Sequence, residues 1–171
     1  GPMWYNEIRS VINPGSQLMS LENKAMCDVY FPQLNFPQVY LRGFRGGAIY
    51  DGEMRPISIE EAVQRLGKVK GFVIKPSMDS EQGRGVKKVT TADVAEIKKI
   101  LIEAGEDFVV QEILQQHKSI AKLNETSLNS FRVTSIYLNG HYGSVTSLKV
   151  GKKGAVRDNW NCSYWVNVEN D

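Results

Sequence analysis

The sequence predicts an α+β protein of two lobes, each built on antiparallel strands. Up to about residue 114, strand-like apolar runs alternate with short helical patterns in the order strand, helix, strand, glycine loop, strand, helix, strand. Beyond it, Phe131 to Leu138 and Tyr142 to Val150 flank Asn139-Gly140, a dipeptide suited to a two-residue hairpin turn. The length, 171 residues, is enough for one domain, or for one domain made of two small lobes, to bury a core. Residues 20–110 read as the N-terminal lobe and 111–171 as the C-terminal lobe. Gly1-Pro2 ahead of Met3 reads as the scar of a protease that removed a tag, so 1–19 are tag remnant and lead-in.

Taken in order, residues 4–19 hold a Pro14-Gly15 turn and no clear period. Ser20 is the expected cap of a helix from Leu21 to about Tyr30, with Leu21, Ala25, Met26 and Val29 near one face and Asn23-Lys24 in its first turn. Pro32 and Pro37 break the chain, and Gln38 to Arg42 is a strand. Arg42, Arg45 and Gly46-Gly47 then read as a basic, flexible loop. Asp51-Gly52, between Ala48-Ile49-Tyr50 and Met54, signals a two-residue hairpin. Ser58-x-x-Glu61 is a capping box for a helix through Leu66 that Gly67 ends.

Phe72-Val73-Ile74 is a strand that presents Lys75 at its end, and Pro76 closes it because proline has no N–H for a ladder. A polar loop from Ser77 to Arg84, closed by Gly83-Arg84-Gly85, leads to a second run from Val86 to Val89. Thr90-x-x-Asp93 is a box-like start for a helix whose stripe is Val94, Ile97, Ile100, Leu101 and Ala104, ending near Gly105. Phe108 to Leu114 is a strand. His117 to Leu123 is a candidate short helix, and Asn124 to Asn129 a polar loop. After the second hairpin, Lys152-Lys153-Gly154 turns the chain into Ala155 to Val168.

Composition excludes several classes. A formal charge of +2 offers no global attraction for nucleic acid. No apolar run approaches the roughly 18 residues of a membrane span, and no signal peptide is visible. Cys27 and Cys162 have no CxxC or metal spacing and read as reduced thiols of a cytoplasmic protein. His117 and His141 are isolated, so no nucleophile triad can be assembled around them.

Four clusters could carry chemistry. Lys75 with the loop Ser80, Glu81, Gln82, Gly83, Arg84, Gly85 outlines a phosphate site, because glycines let successive N–H groups converge on an anion beside one fixed ammonium. An ordinary hairpin with a solvated lysine explains the same residues. Val109-Val110-Gln111-Glu112-Ile113 is an extended segment whose free backbone groups could hold a flat heterocycle. Asn129 and Arg132 stand at the head of a strand. Arg157-Asp158-Asn159 with Asn161 is a polar turn whose oxygens suit Mg²⁺, although Asx residues favour turns in any case.

In order, VIKP, GRGV, VVQE, NSFRVTS and RDN resemble the ATP-grasp superfamily, and within it the sugar-transfer-associated, hexapeptide-transferase-related family. The resemblance covers roughly Leu21 to Asp171. It implies ATP in a cleft between two α+β lobes, with Lys75 on the α and β phosphates and the loop from Ser80 to Gly85 closing over them. Gln111, Glu112 and Ile113 would meet the adenine, with Asn129 also in the nucleotide site. Arg132 would lie against the transferring phosphoryl group and the acceptor, and Asp158, Asn159 and Asn161 would hold Mg²⁺. The implied activity is an ATP-dependent ligase joining a small-molecule carboxylate, through its acyl phosphate, to an amine or thiol, in surface polysaccharide or peptide modification. A small-molecule kinase on the same cradle, and a non-catalytic nucleotide-binding or interaction module, remain open beside it. The family pattern continues with a glycine pair and acidic positions where this chain has Asn161-Cys162-Ser163-Tyr164, which leaves open an incomplete C-terminal lobe and metal site.

Overall fold

The computed structural model describes residues 7, 10–12, 21–80, 84–126, 128–152 and 163–168. Its class is α+β with antiparallel sheets, and the chain divides into two compact units, Gly1–Ile113 and Leu114–Asp171.

In the first unit, six strands lie in the order β3-β2-β1-β6-β4-β5. They are β1 (Val39–Phe44), β2 (Ala48–Asp51), β3 (Pro56–Ile57), β4 (Phe72–Pro76), β5 (Lys87–Val89) and β6 (Phe108–Gln111). The helices are a single turn α1 (Cys27–Tyr30), α2 (Ile59–Leu66) and α3 (Val94–Ala104). Ala62, Val63 and Leu66 of α2 and Ile97 and Leu101 of α3 form one core with Leu41, Phe72, Ile74, Val89, Phe108 and Val110 from the sheet. Side chains alternate along a strand, so Phe72 and Ile74 face the helices and Lys75 faces the other way. The register sets Arg42 and Lys75 on either side of Val109, in one row across that opposite face. Ala25 packs on Val39 and Val109 there, which draws the chain around it over the sheet.

Ser58 caps α2 as expected, accepting from the Glu61 amide at 3.1 Å. Several other expectations change. The helix from Leu21 to Tyr30 is broken at residues 23–26, because the Asn23 side chain accepts from the Ala25 amide and makes a local turn instead; its expected cap, Ser20, lies outside the described residues. Asp93 rather than Thr90 caps α3, taking the Ala95 amide at 2.8 Å. Arg42 is no loop residue: it is fully buried in β1, and the tight turn falls at Gly46 and Gly47, both at positive φ. Asp51 is likewise not a hairpin tip. It ends β2, and residues 52–55 form a wider connection to β3.

Asp51 organises that connection. Its carboxylate accepts from the Glu53 and Arg55 amides and from the Arg55 and Arg65 guanidiniums at 2.9–3.0 Å. Burial alone would raise its pKa; these hydrogen bonds together outweigh it and hold the carboxyl far below the ordinary carboxylate range. The stabilisation is therefore complete above the unfolded value, near 3.9, and is lost as pH falls from there towards the depressed folded value. Urea midpoints measured below about pH 4 should fall steeply for the parent, and Asp51→Asn should flatten that dependence while lowering stability at neutral pH.

Gly43 pairs with Phe108, and a Cβ at this position would run into the Phe108 ring. Gly43→Ala is expected to cost about 1–3 kcal/mol by overpacking. A urea titration checks this, and adding Phe108→Leu should return part of the loss.

The second unit holds the short helix α4 (Lys118–Ala121), capped by His117, and a sheet in the order β7-β8-β9. Its strands are β7 (Ser130–Leu138), β8 (His141–Gly151) and β9 (Ser163–Val168). Asn139 and Gly140 have φ of 50° and 81°, the two positive values that a tight right-twisted hairpin needs, and Leu138 pairs with His141 across them. The turn expected at Lys152-Lys153-Gly154 and the run from Ala155 fall largely on residues 153–162, outside the described set.

Candidate functional site

Lys75 sits at the end of β4, beside a buried central strand, where its stem is held and its ammonium is only partly hydrated. On the β5 side, pairing stops at Ile74; on the β6 side, Pro76 still lies opposite Phe108. Proline thus closes the strand as its chemistry requires. Burial first, and then the charge of Lys24, push the Lys75 ammonium below the ordinary lysine range, while Cys27 pulls the other way.

Lys24 is the second cation of the site. Its Nζ donates to the Ser80 carbonyl at 3.0 Å and to Ser80 Oγ at 3.2 Å, and its amide donates to the Ser77 carbonyl at 3.0 Å. Ser80 Oγ donates in turn to the Pro76 carbonyl at 3.3 Å. The start of the loop is therefore pinned from both sides. Ser77 is fully buried, and its Oγ has no hydrogen-bond partner among the described residues. Gly85 closes the neck at φ 73°, where a Cβ would meet Pro76 Cγ at 2.7 Å, so a side chain is excluded twice over. Arg84 is exposed beside it, and Glu81, Gln82 and Gly83 lie outside the described residues.

Gln111 is buried and pairs with Val73, so it shares the face of β4 that carries Lys75. The expectation of free backbone groups from Val109 onward is corrected. β6 is the middle strand between β1 and β4, and its backbone is ladder-bonded on both sides through Gln111. The strand stops there, short of Leu114. The Glu112 amide donates to the Gln38 carbonyl at 2.9 Å, and the Gln38 amide returns a bond to Glu112 Oε1 at 2.8 Å. Ile113 follows, half-buried, as the last residue of the unit.

In the second unit, Asn129 is a fastener. It is buried, and its amide nitrogen donates to Gln116 Oε1 and to the Ile120 and Asn124 carbonyls at 2.9–3.1 Å, while its Oδ1 accepts from the Gly151 amide. Those bonds occupy the side chain that a nucleotide would need. Arg132 stands exposed on β7 with its guanidinium carbon 6.0 Å from the Trp165 ring centre, and Lys149 Nζ lies 4.7 Å from the same ring. Such a row keeps two cations ordered on one surface.

Asp158, Asn159 and Asn161 lie outside the described residues. Among the described residues, no group of three or more His, Cys, Asp or Glu side chains is placed to hold a metal ion. A cavity of about 630 Å³ does occur in the first unit, lined by residues such as Phe36, Tyr40, Arg55 and Arg65; none of the expected site residues lines it.

Lys24 and Cys27 are what sequence reasoning missed. The contact of Lys24 with Ser80 spans 56 residues, and an isolated Asn-Lys pair in an apparent helix start carries no signal of it. No helix among the described residues is long and apolar enough to cross a membrane. Set against protein-family models, curated proteins and solved structures, the chain finds no match.

Proposed function

We propose that this chain is an ATP-grasp-type domain that binds ATP with Mg²⁺ and serves as an ATP-dependent carboxylate-amine or carboxylate-thiol ligase. One observation supports the nucleotide reading above the rest: Lys24 and Lys75 converge on the neck of one glycine loop, close enough for the charge of one to lower the pKa of the other. Holding two like charges together costs stability, and a polyphosphate would repay that cost by neutralising both. An ammonium about 4 Å from a phosphate oxygen gains roughly 4 kcal/mol at an effective dielectric near 20.

In this reading Lys75 fixes the α and β phosphates from the rigid strand, and Lys24 both binds phosphate and holds Ser80 so that the loop folds over it. Gln111 lies on the same face of the sheet as Lys75 and lines the nucleotide's side of it. Arg132, whose guanidinium carbon lies 6.0 Å from the Trp165 ring centre, is the proposed carrier of charge for the phosphoryl group and the acceptor carboxylate. Bound Mg²⁺ would neutralise phosphate charge, with Asp158, Asn159 and Asn161 as its proposed ligands. The products are ADP, phosphate and an amide or thioester.

The test is a thermal or urea unfolding series with a nonhydrolysable ATP analogue and Mg²⁺. Ligand at 100 times its dissociation constant should add about 2.7 kcal/mol. No stabilisation at millimolar analogue would overturn the proposal. ADP release that requires both a carboxylate and an amine or thiol marks ligation; a stable phosphate ester formed on a hydroxyl marks a kinase instead.

A further inference from the structure

The three-stranded sheet of the second unit has two unlike faces. Residues directly opposite across the ladders share a face, and the register assembles one face from the rows Phe131–Leu148–Val166 and Val133–Thr146–Val168 and the pairs Ser135–Ser144, Tyr137–Tyr142 and Val150–Tyr164. No charged residue stands in these rows; at their edge Lys152 Nζ lies 5.8 Å from the Tyr164 ring centre. The other face carries Arg132, Lys149 and Trp165.

The uncharged face is open. Tyr137 is 70% exposed, Tyr142 69%, Tyr164 62%, Val133 60%, Phe131 55%, Val166 52% and Val168 37%. With a whole aromatic side chain near 150–250 Å², these fractions amount to the order of 700 Å² on one copy, close to the ~800 Å² per partner of a standard protein interface. Single apolar side chains on a surface are ordinary, whereas a contiguous patch of this size marks an interaction site.

We infer that this face is the contact between two copies of the chain, packed sheet against sheet about a twofold axis. Three features select a second copy. Its strand rows offer no charge with which to choose an ionic partner, and the cation against it, Lys152, sits at the Tyr164 edge. Its exposed area comes close to what a standard stable pair buries on each side. Its rows mix large rings (Phe131, Tyr137, Tyr142, Tyr164) with small valines (Val133, Val166, Val168), so the same surface turned through half a turn can set rings against valines at the ~10 Å spacing of packed sheets. Arg132 and Lys149, on the opposite face, stay outside this contact, and the inference does not depend on the nucleotide reading.

Sedimentation equilibrium of the full chain across the micromolar range tests it. The expected mass is twice the 19.2 kDa of one chain. Val133→Lys with Tyr137→Lys should weaken association at least about a hundredfold, since like charges meet across the twofold. Ser144→Glu, a small change at an exposed position of the same face, should act in the same direction with little risk to the fold, which circular dichroism checks. Val145→Lys, exposed on the opposite face, should leave the mass unchanged. A parent that is monomeric throughout, a dimer that survives both charged variants, dissociation by Val145→Lys to the same extent, or a monomer that binds lipid vesicles or apolar peptides through this face would each overturn the inference.

Discussion

Arg42→Met is expected to unfold the first unit at denaturant concentrations where the parent is fully native, with a loss of about 3–5 kcal/mol. Arg42 is completely buried, yet it meets almost every demand of its guanidinium. Nε donates to the Ala25 carbonyl at 2.6 Å, Nη1 to the Gly52 carbonyl at 2.8 Å and the Asp51 carbonyl at 3.2 Å, and Nη2 pairs with the Asp28 carboxylate. Methionine fills much of the volume but leaves three carbonyls and the part-buried Asp28 carboxylate without their donor. The double variant Arg42→Met with Asp28→Leu separates the contributions: it removes the orphaned charge and should recover part of the loss, but not the carbonyl part. Arg42→Lys should also fail, because a single ammonium cannot reproduce a planar fork aimed at three places. Full recovery in the double variant would show that the ion pair, not the carbonyl network, is what the buried arginine supplies. Because Arg42 ties Ala25 and Asp28 to the sheet, and Lys24 adjoins Ala25, the same variants should weaken nucleotide-dependent stabilisation under conditions where they remain folded.

Under the proposed nucleotide reading, Lys75→Ala is expected to act the opposite way, leaving the fold intact while removing binding of the MgATP analogue. Losing one ammonium from the phosphates should weaken affinity about a hundredfold, so ligand that stabilised the parent by about 2.7 kcal/mol would stabilise the variant by only about 0.4 kcal/mol. Without ligand, the variant should melt at the parent's temperature or slightly above it. The native state holds this ammonium partly dehydrated beside Lys24, which disfavours its charged form, and removing it relieves that penalty. A gain in intrinsic stability with a loss of ligand response distinguishes a site residue from a structural one. Lys24→Ala should lose ligand response too, but it also frees Ser80, so protection of residues 77–80 from hydrogen exchange should fall in that variant and persist in Lys75→Ala. If Lys75→Ala responds to the MgATP analogue as the parent does, the phosphate assignment is wrong.

The sequence by itself determined the elements whose causes are local. Ser58 three residues before Glu61, the proline after Lys75 and Asn139-Gly140 between alternating strands each act within one turn of chain, and each stands where expected. The sequence placed Lys75 only at the end of its strand; that it lies on the face away from the helices comes from the fold. What only the tertiary structure decided is everything that depends on pairing between distant strands. β6 lies between β1 and β4, and that order turns the backbone around Val109 from a free recognition edge into the middle of a sheet. The same order sets Arg42, Val109 and Lys75 side by side, so an arginine with the composition of a loop residue becomes the buried anchor of the first unit. Lys24 reaching Ser80 belongs to the same class. Local rules read energies that neighbours in sequence share, and these contacts draw theirs from distant residues, 56 positions apart for Lys24 and Ser80, where only the folded chain brings opposite groups within bonding distance.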